Sequence, residues 1–270
     1  MTSRPYAEVI GDPIAHSRSP IIHRFWLDQL GIAADYLASL VPKSRYADHV
    51  DRRRADRCWR GANVTMPLKL EALAHADDKS DTALAAGAAN LIYPREGRLI
   101  AENTDVGAIA LLLGKLKDGG AAMGNVTLFG NGGAARAALV ACRMLGIDQV
   151  TIQARDLAAA LSLSVQFGLP NPPRPLTDPV ESDGIINATP LGMSGVDCLN
   201  CDLSALPAKG WVFDFVTDRS PLVDAATVRG LATVRGIEML VEQASASFAI
   251  LFGTAAPRDQ DEQLMLRLAP

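Results

Sequence analysis

The chain has 270 residues, 49% of them hydrophobic, with 26 Lys and Arg against 30 Asp and Glu and a formal net charge of −4. That apolar content supports real cores and excludes a disordered chain, and the negative balance gives no electrostatic footprint for nucleic acid. The basic run Arg52-Arg53-Arg54 is flanked by Asp51 and Asp56 and reads as a solvated helix face. No charged segment followed by an apolar run opens the chain, and no apolar run approaches ~20 residues, so neither export nor membrane spanning is expected and the cytoplasm is the expected location. Of the four cysteines, Cys58, Cys142, Cys198 and Cys201, the last two form a CxxC. No second such pair or paired histidines complete a zinc site, so no metal is expected.

In chain order, a strand is predicted over 6–10. A helix follows over 19–30, capped by Ser19 with Pro20 in its first turn. A strand over 36–41, a charged amphipathic helix over 47–59 and a strand over 62–66 come next, and Pro67-Leu68-Lys69 opens another helix. Short strands over 91–93 and 99–101 flank Glu96-Gly97-Arg98, a predicted hairpin turn. A helix over 106–116 leads into a charged, then glycine-rich connection. The strand 125–129, helix 132–145 and strand 149–153 form the first unit of a doubly wound nucleotide domain. Residues 168–175 carry four prolines and are predicted to be an irregular crossing. Short strands are predicted over 184–188 and 211–216, and the chain turns helical from 236. Alternating strands and helices mark an α/β protein.

Four groups of residues carry chemistry. Gly130-Asn131-Gly132-Gly133-Ala134-Ala135 lies between a strand and an alanine-rich helix. Glycines there permit a tight turn and close backbone approach to a pyrophosphate, whose charge faces the helix N-terminus. About twenty residues on, cofactor choice is read at Ala154-Arg155-Asp156. Arg155 suits adenine stacking or a 2′-phosphate. Asp156 would repel a 2′-phosphate and accept from a ribose hydroxyl, which favours NAD over NADP; its plainer role is to cap the next helix. Lys69 at a helix start and Asp105 just ahead of an apolar run can together pass a proton to and from a substrate oxygen. Their plainer roles are a surface lysine and a helix cap. Ser17 and Ser19 flank Arg18 before a helix, where hydroxyls beside unpaired backbone donors can bind a carboxylate.

Gly11-Asp-Pro-Ile-Ala-His-Ser-Arg-Ser-Pro20, Gly61-Ala-Asn-Val-Thr-Met-Pro-Leu-Lys69, Gly87-Ala-Ala-Asn90, Asn103-Thr-Asp105, the loop from Gly130 to Ala137, Asn187-Ala-Thr-Pro-Leu-Gly-Met193 and Gly236-Ile-Glu-Met-Leu-Val-Glu-Gln243 occur in this order. The set resembles the shikimate dehydrogenase family and spans nearly the whole chain. The resemblance implies an N-terminal mixed α/β substrate domain (1–105 plus 236–270), a doubly wound Rossmann NAD(P)-binding domain (106–235), and a cleft between them. It implies reversible NAD(P)-dependent hydride transfer interconverting shikimate and 3-dehydroshikimate in chorismate and aromatic amino acid biosynthesis. Quinate, another cyclic hydroxy acid, or a non-catalytic nucleotide-binding role are the alternatives.

By the same resemblance Lys69 exchanges the proton on the reacting oxygen and Asp105 orients it, so no metal is needed. Ser17 and Ser19 hold the acid's carboxylate, and Asn63, Thr65, Asn90 and Gln243 bond the ring hydroxyls. The cofactor, NAD by preference or else NADP, meets Gly130, Asn131, Gly132, Gly133, Ala134, Arg155, Asp156, Thr189, Phe215 and Gly236. His16 matches the pattern without a visible partner and is assigned a structural role. The implied partner is a small cyclic hydroxy acid, with no nucleic acid or membrane, and the assembly a monomer or homodimer. The chain departs from the family pattern at Leu91 for threonine, Ala154 and Asp156 for asparagine and threonine, Ala159 for a basic residue, Thr217 for tyrosine and Arg24 for asparagine. The run 218–221 is also about two residues shorter than usual.

Overall fold

Strand β1 (Tyr6–Gly11) is buried from Ala7 onward and pairs in parallel with β2 (Asp35–Leu40) on one side and β3 (Trp59–Val64) on the other. Parallel neighbours need crossovers, and α1 (Ser19–Gln29) and α2 (Tyr46–Arg54) supply them. Helix α3 (Lys69–His75), the short strand β4 (Asp78–Lys79) and α4 (Asp81–Ala86) follow. Then β5 (Leu91–Arg95) and β6 (Arg98–Glu102) form an antiparallel hairpin. Its two turn residues, Glu96 and Gly97, both have positive φ (51° and 79°), the conformation whose twist matches that of the flanking strands. The sheet order is β2-β1-β3-β5-β6-β4.

The computed structural model describes residues 4–268, in two units. One runs through Thr104 and resumes at Val241; the other is Asp105–Leu240. Helix α5 (Thr104–Asp118) starts where the first unit breaks off. The second unit contains β7 (Asn125–Phe129), α6 (Gly133–Met144), β8 (Gln149–Ala154), α7 (Leu157–Phe167), β9 (Arg174–Pro175), β10 (Gly184–Asn187), β11 (Trp211–Asp214), α8 (Pro221–Val228) and β12 (Ala232–Arg235). Its six strands are all parallel, in the order β12-β11-β10-β7-β8-β9. This is the doubly wound order, reversing between β7 and β10, where such sheets bind dinucleotides. Helix α9 (Gly236–Phe252) and α10 (Asp261–Arg267) complete the chain. Ile10, Trp59, Leu68, Ile92 and Leu99 centre the core of the first unit. Phe129, Ile185, Val212 and Leu222 centre that of the second. No helix among the described residues is long and apolar enough to cross a membrane.

Four expectations are corrected. The charged helix predicted over 47–59 stops at Arg54, because Trp59, only 2% exposed, opens β3 opposite Tyr6. Ser19 is the first helical residue of α1 rather than its cap; Arg18 precedes it without a capping side chain. Asp105 lies inside the first turn of α5 rather than ahead of it. The proline-rich crossing ends in the two-residue strand β9, beside Gln153 and Ala154.

Candidate active site

Strand β3, the segment before β5, the start of α5 and the middle of α9 bring Asn63, Asn90, Thr104 and Gln243 into one buried network in the first unit. Thr104 N–H donates to Asn90 Oδ1 at 2.7 Å, so the carboxamide of Asn90 satisfies the backbone at the start of α5, the plainer role open to Asp105. Asn90 Nδ2 donates to Thr104 Oγ1 at 2.9 Å and to Gln243 Oε1 at 3.3 Å. Asn63 Nδ2 donates to Ser247 Oγ at 2.8 Å, and the Tyr36 hydroxyl donates to Asn63 Oδ1 at 2.7 Å. Buried amides bonded at both ends hold one orientation.

Tyr36 is itself fixed. His23 stacks on its ring, with centroids 3.9 Å apart and planes 3° apart, and Trp26 and Phe248 close around the imidazole. Burial pushes the His23 pKa down to about 3, so the ring is neutral; neither nitrogen has a polar partner. His23 thus acts as a flat apolar wall.

The other sequence-derived residues of this unit lie on adjoining segments. The β3–α3 turn carries Thr65 and Lys69; Leu68 N–H donates to the Thr65 carbonyl, and Lys69 is the first residue of α3. The Lys69 carbonyl accepts from Ala89 N–H at 2.8 Å, tying the helix start to the segment that carries Asn90. Ser17 is half-buried and Ser19 buried, with a long 3.4 Å contact from Ser19 N–H to Ser17 Oγ. Arg18 between them donates to the Leu268 carbonyl at the end of α10. Asp105 is buried and directly follows Thr104, but belongs to the second unit.

In the second unit, Gly130 follows β7 with φ of +102°, which favours glycine, and a Cβ there would lie 3.1 Å from the Ala188 carbonyl oxygen. The ends of β7 and β10 therefore meet backbone to backbone, with Thr189 alongside. A Cβ on Gly132, at the start of α6, would meet nothing within 4 Å, leaving room over the helix N-terminus. Asn131 Nδ2 reaches the Asp156 carbonyl at 3.3 Å. Arg155 and Asp156 are exposed at the end of β8, and Asp156 caps α7 by accepting from Ala159 N–H at 3.0 Å. Gly236 sits against the carbonyls of Phe215 and Val216, each 2.4 Å from where its Cβ would be, so no side chain fits there. Beneath this edge Asp214 accepts from Asn187 Nδ2, Val216 N–H and Ser220 Oγ, and burial raises its pKa.

Sequence reasoning missed Tyr36, Thr104 and Ser247. Ser247 carries a faint signal, standing one helical turn beyond Gln243 on the same face. Among the described residues, no group of three or more His, Cys, Asp or Glu could hold a metal ion.

A family model described as the shikimate dehydrogenase substrate binding domain matches residues 9–92. The shikimate dehydrogenase (NADP(+)) of Sphingopyxis alaskensis is 41% identical over 270 residues, covering 96% of this chain and 95% of that protein. Among solved structures, the shikimate 5-dehydrogenase of Thermus thermophilus, in complex with NADP(H) and shikimate, aligns with a TM-score of 0.84 at 32% identity, covering 98% of this chain and 99% of that one. The shikimate 5-dehydrogenase of Listeria monocytogenes, in complex with shikimate and NAD, aligns with a TM-score of 0.80 at 26% identity, covering 98% and 97%.

Proposed function

This chain belongs to the shikimate dehydrogenase family, and we propose that it interconverts shikimate and 3-dehydroshikimate by reversible hydride transfer to a nicotinamide dinucleotide. We assign the substrate to residues 1–105 with 236–270 and the dinucleotide to 106–235. The observation that carries this reading is the buried amide network of Asn63, Asn90 and Gln243, polar groups suited to a ligand dense in hydroxyls, on the same unit as Lys69.

A nicotinamide dinucleotide held by the second unit would supply the hydride acceptor in oxidation and the hydride donor in reduction. Every other step belongs to the chain. Ser17 and Ser19 hold the carboxylate and set the ring's orientation. Asn63, Thr65, Asn90 and Gln243 bond the ring hydroxyls. Lys69 Nζ takes the hydroxyl proton as the hydride leaves in oxidation, and returns it to the carbonyl oxygen in reduction, with Asp105 positioning the amine. The glycine loop takes the pyrophosphate over the start of α6. The positive φ and tight surroundings of Gly130, the absence of room for a Cβ at Gly236 and the open space at Gly132 fit such a cofactor.

For cofactor choice we infer a modest preference for NAD over NADP. The name of the Sphingopyxis relative carries NADP(+), while the Listeria structure holds NAD. In this chain the capping carboxylate of Asp156 stands at the end of β8, where the adenosine ribose is expected. Its charge opposes a 2′-phosphate, and Ala159 offers no second cation. The test of the activity is to incubate the protein with shikimate and each oxidised cofactor, follow the absorbance of the reduced nicotinamide, and identify the product by chromatography. 3-Dehydroshikimate should accumulate in step with reduced cofactor; cofactor binding without product from shikimate overturns the reading.

A further inference from the structure

Ser247 is fully buried on α9, and its hydroxyl is a meeting point. It donates to the Gln243 carbonyl at 2.9 Å, receives Asn63 Nδ2 at 2.8 Å and lies 3.1 Å from Thr104 Oγ1. A serine hydroxyl has one hydrogen and two lone pairs. With the hydrogen committed to the helix carbonyl, Asn63 is a donor to it, and the Thr104 hydroxyl, which also lies 3.3 Å from Asn90 Oδ1, completes its surroundings.

Tyr36 fixes the same amide from the other side. Its phenol is fully buried, burial raises its pKa well above the usual range, and its single hydrogen goes to Asn63 Oδ1 at 2.7 Å. Turning the Asn63 amide over would strand that hydrogen and force Ser247 to abandon the Gln243 carbonyl. Leaving buried donors and acceptors unmade is costly, so donor counting admits one orientation. The Asn63 oxygen accepts from Tyr36, one amide hydrogen is taken by Ser247, and the second amide hydrogen remains beside one oxygen lone pair.

We propose that Ser247 and Tyr36 are positioning residues that hold the Asn63 amide in one orientation with its remaining N–H for the substrate, so that the pocket favours a ring hydroxyl oriented there as an acceptor. This rests on Asn63 being a substrate contact, as assigned above. Neither residue touches the reacting atoms, so the effect belongs in KM rather than kcat.

The experiment measures kcat and KM for shikimate in the parent, Ser247→Ala, Ser247→Thr, Tyr36→Phe and Asn63→Ala, all below the lowest thermal midpoint of the set. It repeats this with analogues each lacking one ring hydroxyl. Tyr36→Phe keeps the ring and its stack on His23, so it carries the test if Ser247→Ala fails to fold. Ser247→Ala and Tyr36→Phe should each raise KM by about tenfold, the scale of one hydrogen bond, with kcat changed less than about threefold. Ser247→Thr, which keeps the hydroxyl, should restore KM. With the analogue that lacks the bonded hydroxyl, the variants should lose nothing further relative to the parent. An unchanged KM in Ser247→Ala and Tyr36→Phe, beside a raised KM in Asn63→Ala, overturns the positioning role alone. An unchanged KM in Asn63→Ala overturns the contact assignment, and the inference with it.

Discussion

The Asp156 carboxylate accepts the Ala159 amide hydrogen at 3.0 Å, which makes it the N-cap of α7. A carboxylate there interacts favourably with the helix dipole as well as capping it, and the capping bond fixes its charge at the end of β8. Serine caps a helix about as well as aspartate but carries no charge. Asp156→Ser should therefore raise kcat/KM for NADP relative to NAD by about tenfold, within the ~1–4 kcal/mol range of a close charge pair at a partly exposed site, and barely move the thermal midpoint. Asp156→Ala should shift specificity the same way and also cost about 1 kcal/mol of stability. Steady-state kinetics with both cofactors, beside thermal melts, separate the two effects. A parent enzyme preferring NADP tenfold or more would show that this carboxylate does not govern the ribose site.

Lys69 opens α3 and its side chain is only half-buried, so removing it should not unfold the first unit. Lys69→Ala should lower kcat by about 10²–10⁴, the usual contribution of a general acid–base group, while the cofactor dissociation constant stays within about twofold. Single-turnover rates and a cofactor fluorescence titration report the two quantities. Equal kcat in mutant and parent would remove Lys69 from the chemistry.

Ser17 and Ser19 are assigned to the substrate carboxylate, which is unchanged between ground and transition state. Interactions of that kind appear in KM. Ser17→Ala and Ser19→Ala should each raise KM for shikimate several-fold with kcat nearly constant, on the scale of about 1–2 kcal/mol for a hydrogen bond to a charged group. The carboxamide analogue of the substrate should be insensitive to both changes. Equal sensitivity would assign the loop to a different part of the ligand.

Glu8 is fully buried in β1 and accepts from Arg53 Nε at 2.8 Å, Arg53 Nη2 at 3.1 Å, Ser39 Oγ at 2.5 Å and Trp59 Nε1 at 3.2 Å, with His49 Nε2 3.1 Å away. Burial pushes the carboxyl pKa up, but hydrogen bonds from His49, Ser39 and Arg53 outweigh it and hold the value below the ordinary 4.5. A group whose folded pKa is depressed contributes stability that is complete above its unfolded value and is lost as pH falls through the folded one. The parent's thermal midpoint should therefore fall as pH drops below about 4.5. Glu8→Gln should cost about 2–3 kcal/mol near neutrality, since the Arg53 charge loses its partner, and should show a shallower acid limb. Identical pH profiles for the two proteins would contradict this role for Glu8.

What the sequence displayed well were segments whose chemistry is local. The strand–glycine loop–helix at 125–144 and the Pro67-Leu68-Lys69 helix start announce themselves through residues that are neighbours in the chain. Helices α4 and α8 have no place in the sequence reading, although Ser80 and Ser220 cap them, and α7 has one only as the unbounded helix that Asp156 caps, although Gly168 closes it. All three are short, and α7 exposes Leu157, Leu161 and Val165, which blurs any amphipathic period. Trp59 was drawn into the preceding charged helix because only its pairing with Tyr6, far back in the chain, marks it as strand. Ser247 shows in sequence only its one-turn spacing from Gln243, because Asn63 lies 184 residues away and no spacing rule links a helix serine to a strand asparagine. Residues that position others are found through space, while those assigned to the ligand sit in recognisable runs.

The central claim is tested most directly by steady-state oxidation of shikimate and of quinate, each with NAD and with NADP, under one set of conditions. The expected result is saturable, shikimate-dependent reduction of a nicotinamide cofactor, with kcat/KM for shikimate above that for quinate and NAD at least as effective as NADP. Cofactor that binds but is reduced with neither acid would contradict the account.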